Sequence, residues 1–178
     1  HVVTRASEVA RMVGSFELVA DETAAGGFGL SNPNQGLAKV HVAAAAPGSY
    51  AEFTFEAEAG TPYQLWLRAR AERNSYANDS VHVQFGGMEG AAIGTTDSLT
   101  VNLEDDANAG LSGWGWQDSA YGAGVLATPV VFATSGPQTI RIQPREDGLT
   151  IDQIVLSPER YLGTSPGALK NDATILGH

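Results

Sequence analysis

The sequence predicts an all-β protein, an antiparallel β-sandwich. Three observations carry this. Several stretches alternate apolar and polar residues with a period of two, as half-buried strands do. Clusters of Gly, Pro, Asn and Asp separate those stretches at short intervals, as in "APGS", "GGMEG", "TSGPQ" and "REDG". No long helical period competes with them.

Taken in chain order, Ser7 to Val13 fits one or two helical turns, and the first clear strand is Ala51 to Ala57. After the turn signal Ala59-Gly60-Thr61-Pro62, the stretch Tyr63 to Arg70 alternates again. Tyr63, Leu65, Leu67 and Ala69 form one face of that strand, and Trp66, Arg68 and Arg70 the other. Val81, Val83 and Phe85 interleave with His82 and Gln84, and Leu99, Val101 and Leu103 with Thr100 and Asn102. Further strands are expected at Pro129 to Ala133, Thr139 to Gln143 and Leu149 to Leu156. Glu104 to Gly124 carries no convincing strand, and loops of that length in a compact domain are usually functional. The expected organisation is one sandwich over residues 1–160, with 161–178 as a closing segment or linker.

A chain of 178 residues can bury a sizeable core. Its net charge of −10 repels phosphate backbones and anionic lipid, so neither nucleic acid nor a membrane surface is an expected partner. No apolar run approaches the roughly 20 residues of a membrane helix. Cysteine is absent, which excludes disulfides and thiolate chemistry and leaves a metal ion as the available staple.

Catalytic patterns are missing. His1, His41, His82 and His178 stand singly, and there is no His-Glu-x-x-His and no Gly-x-Ser-x-Gly. "GGFG" at 26–29 lacks the Lys and the strand-then-helix setting of a phosphate loop. The neighbouring acids Asp105 and Asp106, and Glu146 and Asp147, read as solvated turns rather than opposed catalytic carboxyls. We therefore expect a protein that is not an enzyme.

The informative stretch is "LSGWGWQDSAYGAG", residues 111–124. Trp114 and Trp116 stand among glycines and polar residues, and in an extended chain they point to the same side. Aromatic planes that meet the C–H face of a sugar ring, with Gln117 and Asp118 catching hydroxyls at the edge, suit a carbohydrate site. The alternative is that the rings cap one end of the core. A second cluster, "RAERNSYANDSVHVQF", places Tyr76, Asn78 and Asp79 on the connection between two strands, as either a hydroxyl-binding loop or an ordinary turn.

The last strand, "GLTIDQIVLSP", has a lone Asp152 among apolar residues. Together with "YANDSVHVQF", "LSGWGWQD" and "TIRIQPREDGLTIDQIVLSP", it resembles galactose-binding-like β-sandwich carbohydrate-binding modules of the family 6 and family 35 type, over most of residues 15–160. The resemblance implies a jelly-roll sandwich with a ligand site at one loop end, where Tyr76, Asn78, Asp79, Trp114 and Trp116 would be joined by Arg145 and Glu146. It also implies a structural calcium ion, held by Asp152 with Glu17 or Asp21 of "FELVADE". Hard oxygen ligands suit Ca²⁺, and Val19 stands where a second acid would complete a Glu-x-Glu pattern. An Arg-paired Asp152, with Arg141 or Arg145 as the partner, is the alternative.

The expected function is thus non-catalytic binding of a polysaccharide, on a secreted, monomeric module that carries an appended enzyme to its substrate. A structural or adhesive sandwich and, further off, a small glycan-active lyase or hydrolase are the competing readings.

Overall fold

In the computed structural model, residues 1–104, 108–122 and 124–178 are described; Asp105 and Asp106 lie outside them. Two antiparallel sheets face each other. The strands are β1 (Val2–Arg5), β2 (Arg11–Val13), β3 (Glu17–Ala20), β4 (Phe28–Ser31), β5 (Tyr50–Ala57), β6 (Pro62–Ala71), β7 (Ser80–Phe85), β8 (Leu99–Asn102), β9 (Gly115–Gln117), β10 (Val130–Val131), β11 (Gly136–Pro144) and β12 (Leu149–Ser157). One sheet runs β10-β6-β12-β4-β3, with β1 also paired to β12 and β9 to β6. The other runs β2-β5-β11-β7-β8.

The period-two pattern reports the core correctly. Leu65, Leu67 and Ala69 of β6 and Ile151 and Ile154 of β12 pack inward. Phe53 and Phe55 of β5, Val81, Val83 and Phe85 of β7, and Ile140 and Ile142 of β11 meet them from the opposite sheet. Phe132 anchors this core, with ring centroids 5.6 Å from Phe55, 5.7 Å from Phe85 and 5.9 Å from Tyr63.

The step from Ile151 to Ile154 breaks the alternation, and β12 explains it. Ile151 pairs with Ala69 and Gln153 with Arg68, so Asp152 is the extra residue of a β-bulge. A bulge re-aims side chains, and here it lets the strand carry a carboxylate without placing it in the apolar layer.

Part of each outer face is covered by the chain itself, while Thr54 and Glu56 on the outer side of β5 stay exposed. The segment 32–49 lies over the β2-containing sheet: Val40 O accepts from His82 Nε2 at 2.8 Å, and Gln143 exchanges bonds with the Ala44 backbone at 3.0 Å. The C-terminal segment lies over the other sheet. Trp66 Nε1 donates to Tyr161 O at 2.8 Å, Trp116 Nε1 to Thr174 O at 3.2 Å, and Gln153 bonds both ways with the Leu176 backbone.

The tryptophan loop therefore differs from the sequence expectation. Gly115 to Gln117 is a strand, paired to β6 with Trp116 opposite Arg68. Trp116 is fully buried in a second apolar cluster with Val3, Trp66, Val155 and Tyr161. Gly115 permits the close approach of the tail, since a Cβ there would come 1.8 Å from Leu169 O. The glycine between the two tryptophans thus serves the packing of the tail backbone. Ser7 to Val13 likewise forms a short 3₁₀ turn (Ala6–Glu8) followed by β2.

Trp116→Ala is expected to destabilise the fold by about 3–5 kcal/mol, the range for deleting a fully buried aromatic ring. Equilibrium denaturant unfolding checks this; a loss typical of surface sites would place the ring outside the core.

Candidate functional site

The ends of β6, β8 and β11 and the start of β7 converge at one end of the sandwich. Between them opens a cleft of about 750 Å³. Two tyrosines line it: Tyr121, 76% exposed, and Tyr76, 55% exposed. Tyr76 opens a short 3₁₀ turn (Tyr76–Asn78), which Ser75 caps by accepting from Ala77 N–H at 3.2 Å. Lys39, Asp79, Asn102, Glu104, Ser119 and Arg145 supply polar lining below the rings.

The floor is a buried carboxyl pair. Asp79 and Glu146 are both buried, and Asp79 N–H donates to Glu146 Oε2 at 3.4 Å. Ser80 Oγ donates to the same oxygen at 2.6 Å, and Lys39 Nζ pairs with Glu146 Oε1 at 2.7 Å. Burial pushes Asp79 up to about 8, and its hydrogen bond to Glu146 and the Glu146 charge add to the rise. Burial alone would raise Glu146 too, but bonds from Asp79, Lys39 and Ser80 outweigh it and hold the group at about 2. Burial and the Glu146 charge thus favour the protonated form of Asp79, while Lys39 and Ser80 favour the ionised form of Glu146. Asp79 Oδ1 is buried without a hydrogen-bond partner.

Arg145 Nη1 donates to Ser80 Oγ at 2.8 Å and to Asn102 Oδ1 at 3.3 Å, and no carboxylate among the described residues pairs with it. Glu104 Oε1 accepts from Gly122 N–H at 2.5 Å, which ties the Tyr121 turn to the end of β8.

The predicted ligand set thus divides. Tyr76, Asp79 and Arg145 line the cleft, with Glu146 beneath them. Asn78 is buried, its Nδ2 on Glu72 O at 3.1 Å and its side chain under Gly148, where a Cβ would clash at 2.7 Å. Gln117 and Asp118 are buried as well. Gln117 Oε1 accepts from Glu104 N–H at 3.3 Å, and Asp118 accepts from Gln64, Ala120 and Ala127, so both organise the loop rather than meet solvent. The expectation of exposed tryptophans is corrected. Trp114 is buried under Arg70 and Arg68, whose guanidinium carbons lie 4.6 and 5.0 Å from its ring, and its Nε1 donates to Thr23 Oγ1 at 2.9 Å. Neither tryptophan offers a free face.

Tyr121 was the missed aromatic. It stands in the same polar, glycine-rich stretch, but outside any strand. Lys39 and Glu104 were missed because they arrive from distant segments.

The suggested calcium ligands do not form a cage. Glu17 is exposed on the edge strand β3, Asp21 pairs with Arg70 at 2.5 Å, and Asp152 is engaged by Arg68, not by Arg141 or Arg145. Among the described residues no three His, Cys, Asp or Glu side chains gather in a metal-binding group. The residues present do not fit the ion.

No protein-family model and no curated protein matches this sequence. Solved structures do match. A family 26 glycoside hydrolase–CBM35 β-(1,4)-mannanase from Podospora anserina is 14% identical with a TM-score of 0.54, over 89% of this chain and 28% of that one. A family 6 carbohydrate-binding module of Cellvibrio mixtus lichenase 5A, in complex with cellotriose, is 12% identical with a TM-score of 0.53, over 89% and 98%. The C-terminal family 6 module of LamC, a marine laminarinase from Zobellia galactanivorans, is 14% identical with a TM-score of 0.51, over 88% and 98%. The fold is a family-6-like β-sandwich. The chain spans little more than a quarter of the mannanase and nearly all of the two isolated modules.

The raised proton affinity of Asp79 gives a pH dependence. Asp79 binds a proton in the native state that the unfolded chain has released above its ordinary value of 3.8, so this stability is lost as pH rises through about 8. Asp79→Asn, which keeps the neutral form, is expected to flatten the fall in Tm between about pH 6 and about pH 9 and to leave the variant more stable than the parent at the alkaline end. Thermal melts across that range check it; parallel curves would mean that Asp79 is ionised throughout.

Proposed function

We propose that this chain is a non-catalytic carbohydrate-binding module that holds a polysaccharide in the loop-end cleft. The observation that carries the proposal is the pairing of two exposed tyrosines, Tyr76 and Tyr121, over a polar floor in one cleft. Tyrosine rings offer apolar faces to the C–H face of a pyranose while keeping a polar edge in water. Asn102, Ser119 and Arg145 are placed to exchange hydrogen bonds with hydroxyls.

The floor argues for binding rather than turnover. Asp79 and Glu146 differ widely in proton affinity, as an acid and a base do, but Glu146 accepts from the Asp79 N–H, so the two sit side by side instead of facing each other across a substrate. Glycosidic hydrolysis needs two carboxyl groups roughly 5–9.5 Å apart with the bond between them. The fold likeness to isolated binding modules supports the same reading. We further propose that the module is secreted, monomeric and joined in its full-length protein to an enzyme that acts on the bound glycan.

Affinity electrophoresis against neutral and uronic-acid polysaccharides tests the proposal. Retardation by one polymer class is expected, and Tyr121→Ala and Tyr76→Ala should each weaken it by about tenfold or more, equivalent to about 1.4 kcal/mol or more, with Tm nearly unchanged because both rings are exposed. No retardation across the panel by a folded sample would favour an adhesive sandwich instead.

A further inference from the structure

We propose that an internal arginine, Arg68, takes the place of a structural calcium ion at Asp152, so that this sandwich is stapled by its own guanidinium and C-terminal tail and is stable without metal. The inference stands on the sheet and tail, independently of any ligand in the cleft.

The bulge in β12 turns Asp152 to the outer face of its sheet, where tail and turns seal it completely: Asp152 is 0% exposed and Arg68 1%. A carboxylate so placed needs a counter-charge. Arg68 Nη1 donates directly to Asp152 Oδ2, and Ala25 N–H donates to the same oxygen at 2.7 Å. Burial raises Asp152 to about 6, against the opposing pull of these two partners, so it is ionised at neutral pH.

The guanidinium is itself fixed on other sides. Arg68 Nη2 donates to Asp172 O at 2.9 Å, and its guanidinium carbon lies 5.0 Å from the Trp114 ring centroid. Asp172 is pinned in turn. Its carboxylate accepts from Ala168 and Thr174 N–H at 2.7 Å each, and its own N–H donates to Trp114 O at 2.8 Å. The tail carbonyl that a cation at Asp152 would attract is therefore already spent on Arg68.

Calcium needs six to eight oxygen ligands. Asp152 keeps one oxygen, Oδ1, without a donor, but a full positive charge is bonded to the other. A divalent ion beside it would meet that charge at contact distance. Arg5 crowds the same turn, since a Cβ on Gly26 would come 3.1 Å from its Cδ. One internal cation balances one internal anion, and the site closes electrically.

Thermal unfolding in excess calcium and in excess EDTA tests this, alongside terbium luminescence sensitised by the nearby tryptophan. The parent is expected to melt within about 1 °C in both buffers, because an ion that does not bind the native state gives no mass-action stabilisation. Terbium is expected to give no saturable stoichiometric emission. Asp152→Asn and Arg68→Met should each lower Tm, and the double variant should regain part of the loss, as happens when both halves of a buried pair are removed. A rise of several degrees in calcium, or stoichiometric terbium emission that Asp152→Asn abolishes, would overturn the proposal. The terbium measurement needs only the parent and one variant in the folded state, and it decides the question if Arg68→Met fails to fold.

Discussion

A buried charge must be answered, and in this sandwich the answer organises half of the molecule. Asp152 sits on the outer face of the β6–β12 pair, where β12 slips by one residue. Arg68 reaches it from β6, stacks near Trp114 and holds the Asp172 carbonyl. That one guanidinium thus joins a central strand, its neighbour, the β9 loop and the tail. Removing the tail would open a sealed ion pair to water and leave Trp66 and Trp116 bare on a sheet face. The segment after Pro158 belongs to the packing of the sheet, however plain its sequence looks.

Partial cover of both outer faces leaves the loop end prominent. Residues 32–49 lie over part of one sheet and the C-terminal segment over part of the other, which narrows the flat sheet surface open to a polymer, although Thr54 and Glu56 of β5 stay exposed. The two most exposed aromatic rings among the described residues stand at the loop end between the sheets, where Tyr76 and Tyr121 lie over the Asp79–Glu146 pair, whereas Phe28 on β4 is less exposed. The 32–49 segment contributes there too, because Lys39 reaches Glu146 at 2.7 Å and the Asp147 carboxylate holds the Gln35 and Leu37 amides at 2.6 and 3.0 Å. The loop that shields one sheet also supplies the cation that lets Glu146 stay ionised below the cleft.

The long strands were legible in the sequence because burial on one face imposes a period of two. Tyr50–Ala57, Pro62–Ala71, Ser80–Phe85, Gly136–Pro144 and Leu149–Ser157 all fall where that pattern does. The short strands β1 to β4 and β9 have three or four residues each, too few for a period to show. The tryptophans were misjudged for a related reason. Sequence context reports the neighbours along the chain, and Trp114 and Trp116 have glycines and polar residues there. Their apolar surroundings come from Val3, Trp66, Val155 and Tyr161 and from two arginine planes, brought across the sheet by pairing and by the tail. Half of the cleft was legible, since Tyr76, Asp79 and Arg145 lie on turns beside confident strands. Lys39, Glu104 and Tyr121 arrive from irregular segments whose paths only tertiary structure fixes.

The electrostatics of the cleft bear on what it suits. The chain carries −10 overall, yet in the cleft burial favours a protonated Asp79, Glu146 is matched by Lys39, and Arg145, bonded to Ser80 and Asn102, stands in the same lining as Glu104. Local charge is thus far milder than the surface as a whole, and the polar groups facing the opening both donate and accept. Such a lining exchanges hydrogen bonds with hydroxyl groups without demanding a counter-ion, while a strongly anionic polymer would have to approach through the field of the whole protein. Arg145 is the lining cation with no acidic partner among the described residues, so its guanidinium is the group in the cleft placed to meet an anion. Its position on the turn between β11 and β12 ties that group to the strand that carries Asp152, a few residues from the clamp that fixes the sheet.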